Sequence, residues 1–173
     1  MAKSVAANKL NKEKGQLVVE AMIAIVILVT ATLTFVGILS RSLGFNRVIT
    51  DQYIGTYLAA EGVEVIKNII DANYLQSRPW NAGGFSVKRD WEIEYDSEIL
   101  SPSSNRYFCL DKSTGRYGYK ECSSQDGKQT TFKRVVSTEP IGSNEIKVNS
   151  SVTWRNRGLD YQINLEDHFF NWR

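Results

Sequence analysis

A chain of 173 residues, 42% hydrophobic and 23% charged, has the size of one domain plus an appendage, and this composition excludes wholesale disorder. Its formal charge of +2 is unevenly placed: Lys3, Lys9, Lys12 and Lys14 against Glu13 put +3 in the first fifteen residues, leaving −1 for the rest. So nearly neutral a remainder has no global field for gathering nucleic acid or anionic lipid, and two cysteines with one histidine cannot complete a four-ligand zinc site of the usual kind.

The first element is an apolar run. Residues 21–39 contain no charge and three threonines. As a helix rising about 1.5 Å per residue, residues 21–40 span about 30 Å, the thickness of a bilayer's hydrocarbon core. The lysines before it keep the N-terminus cytoplasmic and export the chain beyond Arg41. A cleaved secretory signal fits poorly, because the run is long and Ser40-Arg41-Ser42 is a weak imitation of a small-x-small cleavage site. A plain signal anchor explains everything except Glu20, a carboxylate at the head of the apolar run. An ionisable group inside a membrane costs roughly 2.5–3.5 kcal/mol at mid-depth, less near the interface, and needs a partner. A cut between Gly15 and Gln16 would supply one, a new α-amino group four residues from Glu20.

The sequence Lys14-Gly15-Gln16-Leu17-Val18-Val19-Glu20, followed by the apolar run to Leu39, resembles the type IV prepilins, a family that includes minor pilins and the pseudopilins of type II secretion. The resemblance implies that a prepilin peptidase cuts after Gly15 and methylates the amino group of Gln16, and that Glu20 sets the register between subunits in a helical filament. Gln16 stands where the family usually has phenylalanine, which bears on methylation more than on cleavage. Residues 59–75, AAEGVEVIKNIIDANYL, and 152–172, VTWRNRGLDYQINLEDHFFNW, are similar to minor pilins of the pilus-modification type. The partners this implies are other pilin subunits, the peptidase and an inner-membrane assembly platform.

Beyond the membrane the helix is expected to continue to about residue 76–78. Ile54, Leu58, Gly62, Val65, Ile66, Ile69 and Ile70 fall on one stripe, and Pro79 with Gly83-Gly84 supplies the stop. Residues 85–95, FSVKRDWEIEY, alternate as a half-buried strand, with Glu92 and Glu94 on its solvated face. A shorter strand is read at 132–136. Residues 146–154 and 161–165 form a hairpin around Arg155-Asn156-Arg157-Gly158, expected to pack on Ile66 and Ile70. Residues 101–127 read as a variable loop pinned by Cys109 and Cys122. If exported, these two form a disulfide worth roughly 3 kcal/mol in the chain-entropy model; two free thiols are the alternative. The basic pairs Lys88-Arg89, Lys133-Arg134 and Arg155 with Arg157 read as solvated strand or turn positions.

Catalytic chemistry is not legible. His168 reads as an ordinary surface residue, and no nucleophile, base and orienter can be assembled around it. Gly127-Lys128 is not a phosphate loop, since Cys122 and Gln129 occupy positions that should be glycine and hydroxyl. Asn149-Ser150-Ser151 matches a glycosylation sequon inside an alternating strand, where chance explains it. No enzyme activity, metal or cofactor is expected.

The expected organisation is α+β and pilin-like: a leader at 1–15, a long helix at 16–78 with a transmembrane segment at 21–40, and an exported β-rich head at 79–173. The expected function is a structural minor pilin of a cell-surface filament. The alternatives are a pseudopilin for secretion or DNA uptake and, from another class, a monomeric signal-anchored protein whose head binds a ligand.

Overall fold

The computed structural model describes residues 2–97, 100–123 and 125–172, without the side chains of residues 2–15, Leu43 and Glu121. One helix, α1 (Ala2–Leu75), precedes seven strands: β1 (Arg89–Glu92), β2 (Ser101–Pro102), β3 (Tyr107–Asp111), β4 (Tyr117–Gly118), β5 (Gly127–Ile141), β6 (Glu145–Asn156) and β7 (Leu159–Phe170). The fold class is α+β, with a helix packed on an antiparallel sheet. The chain forms two compact units. One ends at Arg47, and the other, Val48–Arg173, holds the second half of α1 together with all the strands.

In the first unit the helix stands alone. From Leu17 to Leu39 its large apolar side chains are between 49% and 67% exposed. This helix is long and apolar enough to cross a membrane. The three threonines of its apolar run suit that medium: Thr30 Oγ1 donates to the carbonyl of Val26 (2.9 Å), Thr32 to that of Leu28 (2.7 Å) and Thr34 to that of Thr30 (2.8 Å). Each hydroxyl is satisfied inside the helix, as a hydrocarbon surrounding requires.

In the second unit β5 is the axis of the sheet. Along one edge it pairs with β3 through Gly127–Lys133 and with β1 through Val136–Thr138; along the other it pairs with β6 over Lys133–Ile141, and β6 pairs with β7 along its whole length. All ladders are antiparallel. The β6–β7 hairpin closes through Arg157 (φ +52°) and Gly158 (φ +83°), the double left-handed step that matches strand twist.

The expected stripe of α1 is buried against this sheet. Val65, Ile66 and Ile70 join Trp80, Phe85, Trp91, Ile93, Val136, Ile146 and Val148 in one apolar cluster; Leu58 and Ala59 join Phe108, Tyr119, Phe132, Val152 and Trp154 in a second. Close approach depends on two glycines seven residues apart. A Cβ on Gly55 would lie 2.7 Å from the Trp154 ring, and one on Gly62 would lie 2.6 Å from Ser150 Oγ and 2.8 Å from Val136 Cγ2. The helix ends at Leu75, short of residue 78: Ser77 takes φ +52°, and buried Asn73 donates from Nδ2 to the carbonyls of Trp80 (3.2 Å) and Ala82 (2.9 Å). The hairpin packs where expected, with Ile146 and Val148 in the cluster of Ile66 and Ile70.

The first strand is shorter than its alternation implies. Only Arg89–Glu92 is extended and paired, and Val87 and Tyr95 are exposed. The strand read at 132–136 is instead the centre of fifteen-residue β5. Residues 101–127 are built rather than loose, contributing β2, β3, β4 and a 3-10 turn, Lys120–Ser123.

Candidate functional site

The residues singled out in sequence lie in both units. Gly15 belongs to α1, but its surroundings lie outside the described residues. Gln16 and Glu20 are exposed one turn apart, so that residue 16 is about 6 Å from Glu20 along the axis. With Val19, Ile23, Ala24 and Ile27 they line a shallow groove of about 490 Å³ on one helix face. A lone carboxylate thus sits at one end of a helical surface that is otherwise apolar. A surface of that extent is one that water-soluble monomers rarely expose.

Cys109 and Cys122 are joined, with Cα atoms 5.0 Å apart. Their bond ties β3 to the 3-10 turn, and buried carboxylates at the end of β1 and just beyond it hold the neighbouring segment. Glu92 and Glu94 are each only 7% exposed, so the reading of them as solvated is corrected. Glu92 accepts from Arg106 Nη2 (2.8 Å) and Nε (3.1 Å) and from Ser104 Oγ (2.6 Å). Glu94 Oε1 accepts the backbone N–H groups of Tyr119 (2.6 Å) and Lys120 (2.9 Å), while Lys120 Nζ reaches Glu94 (3.2 Å) and Asp96 (3.1 Å). The hydrogen bond to Glu92 raises the Arg106 pKa, that to Asp96 raises the Lys120 pKa, and burial pushes the Tyr119 phenol well up. Each buried charge has partners, as burial demands. The cluster fastens the disulfide segment to the sheet.

A second correction concerns Arg134. Instead of a solvated member of a basic pair, it is 1% exposed and sits between the two apolar clusters. Its guanidinium pairs with Glu61 of α1 (2.9 Å), donates to the carbonyls of Leu58 and Ile93, and lies 4.9 Å from the Phe108 ring centre. A sequence signal exists: Phe132, Arg134 and Val136 are successive same-face positions of one strand, two of them apolar. Its neighbour Lys133 faces the other way, with Nζ 4.3 Å from the Tyr107 ring centre. Lys88 pairs with Glu139 at 3.0 Å, and Arg155 with Asp160 at 3.6 Å.

His168, expected as a surface residue, is an exposed position on β7 whose ring contacts Glu145 on β6 and Glu166 at 3.3 Å. The Glu145 contact, then Glu166, raises its pKa. Among the described residues no group of three or more His, Cys, Asp or Glu is placed to hold a metal ion. Comparisons with protein families, with curated proteins and with solved structures find no match.

Proposed function

We propose that this chain is a prepilin-type structural subunit, a minor pilin that assembles through its N-terminal helix into a type IV pilus or related cell-surface filament. The observation that carries the proposal is the lone Glu20 after Lys14-Gly15, heading nineteen uncharged residues on a helix whose apolar side chains no described residue covers. A membrane satisfies that surface before assembly, and the helices of neighbouring subunits satisfy it afterwards. Cleavage after Gly15 frees the Gln16 amino group, one helical turn from Glu20, and attraction between opposite charges in an apolar medium is strong enough to fix axial register. The disulfide-tied head faces an oxidising, extracytoplasmic space. A pseudopilin for secretion or DNA uptake shares all these features and differs in its partners. A monomeric signal-anchored protein with a ligand-binding head leaves Glu20 without a purpose.

The test is the N-terminal sequence of the protein recovered from membranes and from sheared surface filaments. Gln16 at the terminus in both supports the proposal, and a cut elsewhere overturns it. Gly15→Leu should leave the longer precursor in the membrane. Glu20→Ala should insert and be cleaved normally, because removing a charge favours insertion, yet enter filaments less often at equal membrane level. Full incorporation of Glu20→Ala would remove the register role.

A further inference from the structure

The sheet face turned away from α1 carries a polar trough. Register places Tyr107 of β3, Lys133 of β5, Thr153 of β6 and Gln162 of β7 in one continuous row across four strands. Beside it lie Thr131 and the pair Arg155–Asp160, and together these residues line a trough of about 430 Å³. A merely solvated sheet face needs neither a trough nor an outward aromatic, yet Tyr107 is 42% exposed at the trough's edge. The row presents, in order, an aromatic face, a cation, a hydroxyl and an amide over about 14 Å, three strand spacings.

We propose that this trough binds a carboxylate-bearing glycan. The Tyr107 ring, one face of which Lys133 Nζ approaches to 4.3 Å, offers its remaining exposed surface as an apolar platform for a sugar ring. Lys133 and Arg155 supply charge-assisted hydrogen bonds to a carboxylate, Thr131 and Thr153 exchange hydrogen bonds with hydroxyls, and Gln162, whose Nε2 already donates to Ser151 and Asn164, accepts through its amide oxygen. Charge decides against a nucleic acid. Three cations on this face of β5, β6 and β7, Lys133, Lys147 and Arg155, are outnumbered by Glu139, Glu145, Asp160 and Glu166, and His168 stands between two of those acids. A polymer with one phosphate per residue would meet repulsion along the strands, whereas a hydroxyl-rich chain with sparse carboxylates would not. The inference does not depend on filament assembly, since the trough belongs to the head alone.

The test is calorimetric titration of the full-length protein in detergent micelles with sialyllactose, which carries one carboxylate in three sugars, with maltotriose as a neutral comparator and oligothymidylate as a phosphate polymer. Sialyllactose should bind saturably, at least about tenfold tighter than maltotriose, and more weakly as salt rises. Lys133→Gln and Tyr107→Ala should each weaken it about tenfold, while Lys147→Gln, the same charge change at the far end of the face, should leave it within about twofold. No saturable binding, equal loss with Lys147→Gln, equal affinity for maltotriose or tighter binding of oligothymidylate would each overturn the proposal. Unfolding midpoints accompany every variant, and if Tyr107→Ala fails to fold, Lys133→Gln decides alone.

Discussion

The two halves of α1 make the most instructive comparison, because one helix meets two different surroundings. Residues 16–47 display apolar side chains on every side, and their one carboxylate among the first apolar turns, Glu20, has no ion-pair partner among the described residues. Residues 48–75 display a stripe, and the carboxylate beside that stripe, Glu61, pairs with a fully buried arginine. The second half has its sheet within the same chain, so its pattern is complete. The first half has an apolar surface and a charge that the described residues leave uncovered. A helix uniform in backbone thus separates a finished interface from an unfinished one by side chains alone.

The largest disruption of the finished half should come from Arg134→Ala. It strands Glu61 and two carbonyls and opens a cavity between the clusters, so unfolding stability should fall by about 3–5 kcal/mol, read from the denaturation midpoint of the head. Glu61→Gln should cost less, because Glu61 is partly solvated and an amide oxygen still accepts from the guanidinium. Next comes the disulfide. Replacing Cys109 and Cys122 with alanine opens a loop of sequence separation 13 and should cost about 3 kcal/mol. Retained stability would mean that the carboxylate cluster holds the segment unaided.

A glycine pair sharpens the contrast between the halves. Gly62→Ala forces a methyl against Ser150 and Val136 and should cost about 1–3 kcal/mol despite better helix propensity. Gly37→Ala meets nothing within 4 Å and should leave thermal stability unchanged or slightly raised. Equal effects would show that the second half is no more tightly packed than the first. The smallest effect concerns pH. Glu145 and Glu166 raise the folded-state pKa of His168 above 6.5. The stability it contributes is therefore complete below the unfolded value and is lost as pH rises through the folded value. His168→Gln should flatten the fall in unfolding midpoint above about pH 6.5, and an unchanged slope would exclude His168 as its source.

Residue spacing alone makes the helical stripe, the hairpin and its turn legible, because periods of 3.6 and 2 report which face is buried. The same reasoning misplaces Glu92, Glu94 and Arg134. Alternation says which side of a strand a residue faces, but not whether a distant segment covers that side. Residues 104–120 supply donors to Glu92 and Glu94, and Glu61, 73 positions before Arg134, supplies its acceptor. The length of β5 is hidden for a related reason. Its even-numbered positions outside the centre, Lys128, Thr130, Thr138 and Pro140, include no large apolar side chain, so only residues 132–136 have the pattern of a half-buried strand.

By itself the sequence determined what local periodicity and composition can carry: an uncharged run long enough for a bilayer, a carboxylate at its head, an amphipathic continuation and a closing hairpin. The tertiary structure decided what depends on contacts remote in sequence. It joined the cysteines, buried three charges by giving each a partner, seated Gly55 and Gly62 against the sheet, and aligned Tyr107, Lys133, Thr153 and Gln162 into one row. The physical reason is that burying an apolar side chain needs only a face, whereas burying a charge needs a specific partner, and a partner is assigned by the fold.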